Sequence, residues 1–146
     1  MPRNLLDLIQ SFTIFGQNDK GHTIKIVARY QQFRAVKKTI KRLLDGKNRQ
    51  ERSGIIWHTQ GSGKSLTMVM LTKYLMSELS SIHPQVVIIT DRIELDSQIH
   101  KTFNQSRLKA ARATSGKNLV DLICNRNAEI ITSLVHKFDT ASKKQT

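Results

Sequence analysis

The chain has one cysteine, few acidic residues and no long apolar run, and each shortage excludes a class of protein. Cys124 is the single cysteine, so no intrachain disulfide can form and no C-x-x-C metal motif is present. This usage fits a reducing compartment, and we expect Cys124 to be a small buried hydrophobe. The first residues lack a basic-then-apolar secretory signal, and no apolar run approaches the roughly 20 residues that span a bilayer. The sequence therefore predicts a cytoplasmic chain without a membrane partner.

Basic residues outnumber acidic ones by 24 to 11, which gives a formal net charge of +13. Such a balance favours a polyanion as the partner, because it creates a positive potential over the surface. The alternative is a basic domain whose acidic counterpart lies elsewhere in a longer protein. A length of 146 residues suits a single domain with one core.

The most informative motif is the octapeptide HTQGSGKS at residues 58–65. It follows an apolar run, Gly54–Trp57, which we predict to be a strand, and it opens a helical pattern that continues from Leu66. A strand, a glycine loop, a Lys-Ser pair and a helix in this order are typical of a phosphate-binding P-loop. Gly61 and Gly63 allow the tight turn in which successive backbone N–H groups point at one anion.

The loop residues have distinct expected roles toward a nucleotide. The helix that begins near Lys64 adds its positive end, and the Lys64 ammonium would reach the β- and γ-phosphates. The Ser65 hydroxyl would hold Mg²⁺. His58 stands where the strict pattern has its first glycine. The alternative is an ordinary Gly/Ser turn followed by a surface lysine, but the flanking pattern favours a nucleotide-binding site.

Hydrophobic periodicity predicts alternating strands and helices along the rest of the chain. Residues 1–29 form an approach segment with a short helix, a polar turn from Gly16 to Gly21 and a strand at Thr23–Val27. A helix with an apolar and a basic stripe follows, and then a polar loop. Beyond the P-loop helix we predict a fully buried strand at Val86–Ile89, further strands at 110–114 and 129–134, and helices at 93–103 and 116–125. This order predicts an α/β fold with a mostly parallel, doubly wound sheet and helices on both faces.

Four segments resemble the motor (R) subunit of type I restriction enzymes, in the superfamily 2 helicase/translocase group. They are Ala28–Val36, Ile56–Met68, Thr90–Gln98 and Ile130–Thr132 with Lys137 and Phe138. The resemblance runs from about Leu5 to Phe138, and its Trp-His-Thr-Gln-Gly-Ser-Gly-Lys-Ser form is more specific than a bare P-loop. It implies a partial RecA-like P-loop domain at residues 30–140, preceded by the approach segment and followed by a tail at 141–146.

The resemblance also implies roles for particular residues. Gly61, Ser62, Gly63, Lys64 and Ser65 match helicase motif I, which binds ATP and Mg²⁺, with Lys64 as the catalytic residue. Gln32 matches the glutamine that reads the adenine edge in related motors. A carboxamide suits that task because it offers a donor and an acceptor together. The alternative for Gln32 is an ordinary polar helix residue.

A second group of residues is similar to motifs that grip the DNA backbone. Arg92 would offer a phosphate a rigid fork of donors, which positions a strand without reading its sequence. The alternative for Arg92 is an ion pair with Asp96, one helical turn away. The implied DNA-binding residues are Thr90, Arg92, Gln98 and Thr132.

The chain lacks parts that this family needs for turnover. No Asp-Glu pair follows a strand, and neither a second motor domain nor an Asp…Glu-x-Lys nuclease site is present. We therefore expect a fragment that binds nucleotide weakly and does not turn it over. The resemblance implies that the parent is an ATP-dependent DNA translocase in a type I site-specific deoxyribonuclease. Its implied partners are double-stranded DNA and the methylation and specificity subunits.

Two other interpretations remain open. The strand at Val86–Ile89 is followed by Asp91, which could be the Mg²⁺-binding acid of a compact P-loop nucleotide kinase or ATPase. In that case Asp91→Asn would abolish Mg²⁺-dependent binding. The chain could instead be a basic nucleic-acid-binding module, whose DNA affinity would not change with ATP or with Lys64→Ala.

Overall fold

The computed structural model describes residues 2–18 and 20–142. The chain divides into two compact units, Met1–Glu78 and Leu79–Thr146. The boundary falls at the end of the helix that follows the glycine loop. In the described ranges, no helix combines the length and the apolar character that crossing a bilayer requires.

The first unit combines a hairpin with four helices. Its elements are α1 (Pro2–Gln10), β1 (Thr13–Gln17), β2 (Thr23–Val27), α2 (Tyr30–Asp45), α3 (Arg49–Arg52) and α4 (Lys64–Glu78). Strands β1 and β2 are antiparallel, with Thr13 opposite Val27. The turn between them is shorter than predicted, because Gly16 belongs to β1. Within the turn, the side-chain oxygen Oδ1 of Asn18 accepts from the backbone amides of Lys20 and His22.

Two predictions for residues 47–57 are wrong. The predicted strand Gly54–Trp57 has neither strand nor helix conformation, and Ile55 and Trp57 are 90% and 89% exposed. A strand needs a neighbouring strand for its hydrogen bonds, and the described strands of this unit pair only with each other. The predicted polar loop before it contains the single-turn helix α3. Asn48 caps this helix by accepting from the Glu51 amide, a signal that the sequence did contain.

The core of the first unit is built on aromatic rings and one buried charge. The ring of Phe12 is fully buried, with centroids 4.6 Å from Phe33 and 5.3 Å from Tyr74. Lys37, which belongs to the predicted basic stripe of α2, donates to Asp7 Oδ2 and to the Tyr74 hydroxyl, both at 2.7 Å. Burial by itself would lower the pKa of Lys37, but the hydrogen bonds to Asp7 and Tyr74, together with the charge interactions with these two groups, outweigh it and raise the pKa. Lys37 therefore ties α1, α2 and α4 together.

The second unit contains a three-stranded parallel sheet flanked by helices. After a 3₁₀ turn at Ser80–Ile82, its elements are β3 (Val86–Thr90), α5 (Ile93–Gln105), β4 (Ala110–Arg112), α6 (Gly116–Cys124), β5 (Ile130–Leu134) and α7 (Val135–Ser142). The strand order is β3-β5-β4, with Val86 and Ala110 both in register with Ile130. Helix α5 contacts all three strands, and α7 contacts β3 and β5. The predicted α/β class is confirmed, and the parallel sheet is consistent with a partial RecA-like domain.

Burial in this unit corrects two further predictions. All five residues of the central strand β5 are buried, whereas β3 lies at an edge and leaves Ile89 42% exposed. The prediction of a fully buried β3 is therefore wrong.

Cys124 is exposed rather than buried. It lies five residues beyond the buried Leu119, which turns it about 140° around α6 from the packed face.

We predict that Lys37→Ala lowers the free energy of unfolding by about 1–2 kcal/mol, because Asp7 and Tyr74 lose the partly buried donor that they share. Lys38→Ala is the matched control, since Lys38 is the exposed neighbour on α2 and should cost about 0.5 kcal/mol or less. Urea unfolding followed by circular dichroism measures both. Equal unfolding midpoints for the two variants would contradict the role of Lys37.

Candidate phosphate-binding site

The glycine loop has the backbone conformation that a phosphate cradle requires. Gly61 and Gly63 have φ angles of 76° and 79°, in the left-handed region that favours glycine, and α4 begins at the next residue, Lys64. A Cβ on Gly61 would meet nothing within 4 Å, so the dihedral angle alone demands glycine there. A Cβ on Gly63 would also lie 2.7 Å from Gln32 Nε2. Both glycines that the sequence singled out are therefore needed for the loop.

Lys64 is folded over its own loop. Its ammonium donates to the Thr59 carbonyl at 2.8 Å, and the same carbonyl accepts from the Ser62 hydroxyl at 2.7 Å and the Ser62 amide at 3.3 Å. The Lys64 side chain is exposed, so an incoming anion can reach it. A phosphate oxygen would compete well with the carbonyl, because hydrogen bonds between two charged groups are stronger than those to a neutral acceptor.

Gln32 is buried against this loop. It is only 4% exposed, and its Nε2 donates to the carbonyls of Ser62 and Gly63, both at 3.2 Å. Its Oε1 accepts from the Arg29 amide at 2.9 Å, which caps the start of α2. Both ends of the carboxamide are thus engaged with the protein. The adenine-reading role stays a prediction, and the atoms it would use already have partners in this structure.

The residues at the start of α4 fit a Mg²⁺–polyphosphate group. Ser65 is half-buried in the first turn of the helix, directly after Lys64. Within the described residues there is no cluster of three or more His, Cys, Asp or Glu side chains that could hold a metal ion by itself. A Mg²⁺ ion bound here would therefore rely on the Ser65 hydroxyl, phosphate oxygens and water, which is a common way for proteins to bind this ion.

His58 lies at the base of the loop. It is half-buried, and its Nδ1 is buried without a hydrogen-bond partner among the described residues. Together with Ile56, Lys64, Thr67 and other side chains it lines a cavity of about 90 Å³. The histidine that replaces the first glycine of the strict pattern thus lines the same cavity as Lys64.

The structure divides the predicted DNA-binding residues into two kinds. Arg92, at the N-cap of α5, and Gln98 are exposed, whereas Thr90 is 6% and Thr132 0% exposed. Neither threonine hydroxyl has a hydrogen-bond partner within residues 2–18 and 20–142. Arg92 and Gln98 are therefore accessible from solvent, whereas the two threonine side chains are buried. DNA contact stays a prediction for all four.

The alternative ion pair between Arg92 and Asp96 is wrong. Asp96 is 1% exposed and accepts instead from Arg112 Nε. The Nη2 atom of Arg112 donates to Ser97 Oγ at 3.2 Å. Arg92 Nε lies 3.6 Å from Asp91, and both of these side chains are well exposed. A screened pair of this kind contributes little stability, so Arg92 can exchange Asp91 for another anion.

Comparisons with known proteins identify the family of this chain. A family model described as SWI2/SNF2 ATPase matches residues 31–146. A putative type I restriction enzyme MjaIXP endonuclease subunit of Methanocaldococcus jannaschii is 37% identical over 97% of this chain and 14% of its own length. The type I restriction enzyme HindI endonuclease subunit of Haemophilus influenzae is 35% identical over 73% of this chain and 10% of its own.

The chain spans only a small part of these relatives, between 10% and 14% of their length. The resemblance that the sequence indicated is nevertheless confirmed, because similarity to several type I restriction enzyme endonuclease subunits covers most of the chain. The glycine loop, Lys64 and Ser65 all fall inside the matched range. The chain therefore belongs to the SWI2/SNF2 ATPase family.

Proposed function

We propose that this chain is the ATP-binding part of an ATP-dependent DNA translocase subunit of a type I restriction-modification enzyme. The observation that carries the proposal is the loop itself, in which two left-handed glycines lead into α4 with Lys64 at its first residue. Family membership supports nucleotide use, and the similarity to type I restriction enzyme endonuclease subunits supports the restriction system. Double-stranded DNA and the methylation and specificity subunits are the proposed partners of the whole subunit.

The proposed binding mode assigns a task to each loop residue. The amides at the start of α4 lack partners within the helix and donate to phosphate oxygens. The Lys64 ammonium leaves the Thr59 carbonyl and moves to the β- and γ-phosphates, and Ser65 offers its hydroxyl to the metal ion. Mg²⁺, when bound, neutralises charge on the phosphate oxygens. The chain contains no Asp-Glu pair to orient a water, so we expect binding without turnover.

We predict that Lys64→Ala weakens ATP binding in the presence of Mg²⁺ by about 10- to 100-fold. A hydrogen bond to a charged group contributes about 1.5–3 kcal/mol, and each 1.4 kcal/mol is about tenfold in affinity. The matched control is Lys101→Ala, which removes an exposed lysine from α5. Isothermal titration calorimetry measures the dissociation constants. Equal losses in the two variants, or no ATP binding by the unsubstituted chain, would sink the proposal.

We predict that Asp91→Asn keeps Mg²⁺-dependent ATP binding within about twofold, because Ser65 and the phosphates hold the ion. Asp91 is exposed, and its salt-bridge partner is Arg92. The same titration, with and without Mg²⁺, decides the point. Loss of the Mg²⁺ dependence in Asp91→Asn would favour the nucleotide kinase alternative instead.

We predict that Arg92→Ala weakens binding to double-stranded DNA and lowers the slope of log affinity against log salt by about 1, as expected when one phosphate contact is lost. Lys117→Ala, on the exposed side of α6, is the control and should change the slope less. Fluorescence anisotropy across a salt series measures both. An unchanged slope in Arg92→Ala would remove Arg92 from the DNA interface.

A further inference from the structure

The N–H groups of the glycine loop can face a bound phosphate only if the carbonyls of the same peptides point the other way. In a trans peptide the C=O and N–H bonds point in opposite directions, so fixing one fixes the other. The Ser62 carbonyl shares its peptide with the Gly63 amide, and the Gly63 carbonyl shares its peptide with the Lys64 amide. Holding these two carbonyls on one side of the loop therefore turns the amides of Gly63 and Lys64 to the opposite side.

Gln32 is the side chain that holds both carbonyls. Its Nε2 lies 3.2 Å from each of the two oxygens, across about 30 residues of sequence. The Gly63 carbonyl also accepts from the Thr67 amide and hydroxyl, at 3.0 and 3.1 Å, but the Ser62 carbonyl has no other described donor. Without Gln32 the Ser62–Gly63 peptide would be free to rotate.

The orientation of the Gln32 carboxamide is itself fixed. Because Oε1 accepts from the Arg29 amide at 2.9 Å, the NH₂ group must face the loop. The side chain is 4% exposed, so water does not compete for these bonds. The contact is also close, since even a Cβ on Gly63 would come within 2.7 Å of Nε2. The start of α2 and the phosphate loop are therefore coupled through one amide.

We propose that Gln32 is a positioning residue for the polyphosphate, which aims the Gly63 and Lys64 amides at the phosphates whatever base the nucleotide carries. This inference rests on the proposed function, namely that the loop binds a nucleotide. It differs from the adenine-reading role in a measurable way. A residue that reads adenine changes the preference among bases, whereas a residue that positions the loop changes affinity for all polyphosphates equally.

The test compares three variants with three ligands. Gln32→Ala removes all three hydrogen bonds of the side chain, whereas Gln32→Glu keeps an acceptor for the Arg29 amide but has no NH₂ donor for the loop. Gln31→Ala is the matched control, because Gln31 is the exposed neighbour on α2. The ligands are ATP, GTP and inorganic triphosphate, each with Mg²⁺, and calorimetry gives the dissociation constants. Circular dichroism checks that each variant is folded.

We expect both Gln32 variants to bind all three ligands about 10-fold more weakly, as two hydrogen bonds of about average strength would give, with an unchanged ratio of ATP to GTP affinity. Gln31→Ala should match the unsubstituted chain. A loss for ATP alone, with triphosphate unaffected, would overturn the inference in favour of base reading.

Other outcomes are equally decisive. Unchanged affinities in Gln32→Glu would overturn the inference while leaving the proposed function intact. An unfolded Gln32→Glu chain would assign Gln32 to the fold and not to the loop, which also overturns it. If the unsubstituted chain bound none of the three ligands, the proposed function and the inference would fail together.

Discussion

Side-chain donors hold several carbonyls of the glycine loop in place. The Thr59 carbonyl accepts from the Lys64 ammonium and the Ser62 hydroxyl. The carbonyls of Ser62 and Gly63 accept from the Gln32 side-chain amide. A buried carbonyl without a partner costs about as much as a lost hydrogen bond, so the part-buried contacts from Gln32 stabilise this shape of the loop. The left-handed glycines permit the conformation, and the donors select it from the others that glycine allows.

A buried and paired carboxylate contributes to the packing of each unit. Asp7 and Asp96 are buried, and each is paired with a basic side chain from another element: Asp7 with Lys37, and Asp96 with Arg112. Buried carboxylates need such partners because an unpaired buried charge is strongly destabilising. Asp7 and Asp96 are thus engaged in packing, and because each is paired with a basic side chain, the chain keeps its formal net charge of +13. That balance suits partners rich in phosphate.

Local pattern was enough to predict much of the fold. The helical period located α2, α4 and α5, and short apolar runs located β3 and β5, because these signals depend on neighbouring residues.

Predictions failed where a distant partner decides the outcome. The Gly54–Trp57 run lacks a neighbouring strand among the described residues of its unit, and β3, at the edge of its described sheet, leaves Ile89 exposed. The link from Gln32 to the loop spans about 30 residues and has no local signature. Motif spacing alone indicated the glycines, Lys64 and Ser65.

The most direct test of a polyphosphate in the loop is the amide spectrum of a ¹⁵N-labelled chain titrated with Mg²⁺ and ATP. Binding should move the Gly63 and Lys64 amide signals most, because their N–H groups would then donate to phosphate oxygens. Gly21, which also has a left-handed φ but lies in the hairpin turn, should stay in place. Movement of signals elsewhere, with those of Gly63 and Lys64 unchanged, would show that the loop is not the nucleotide site.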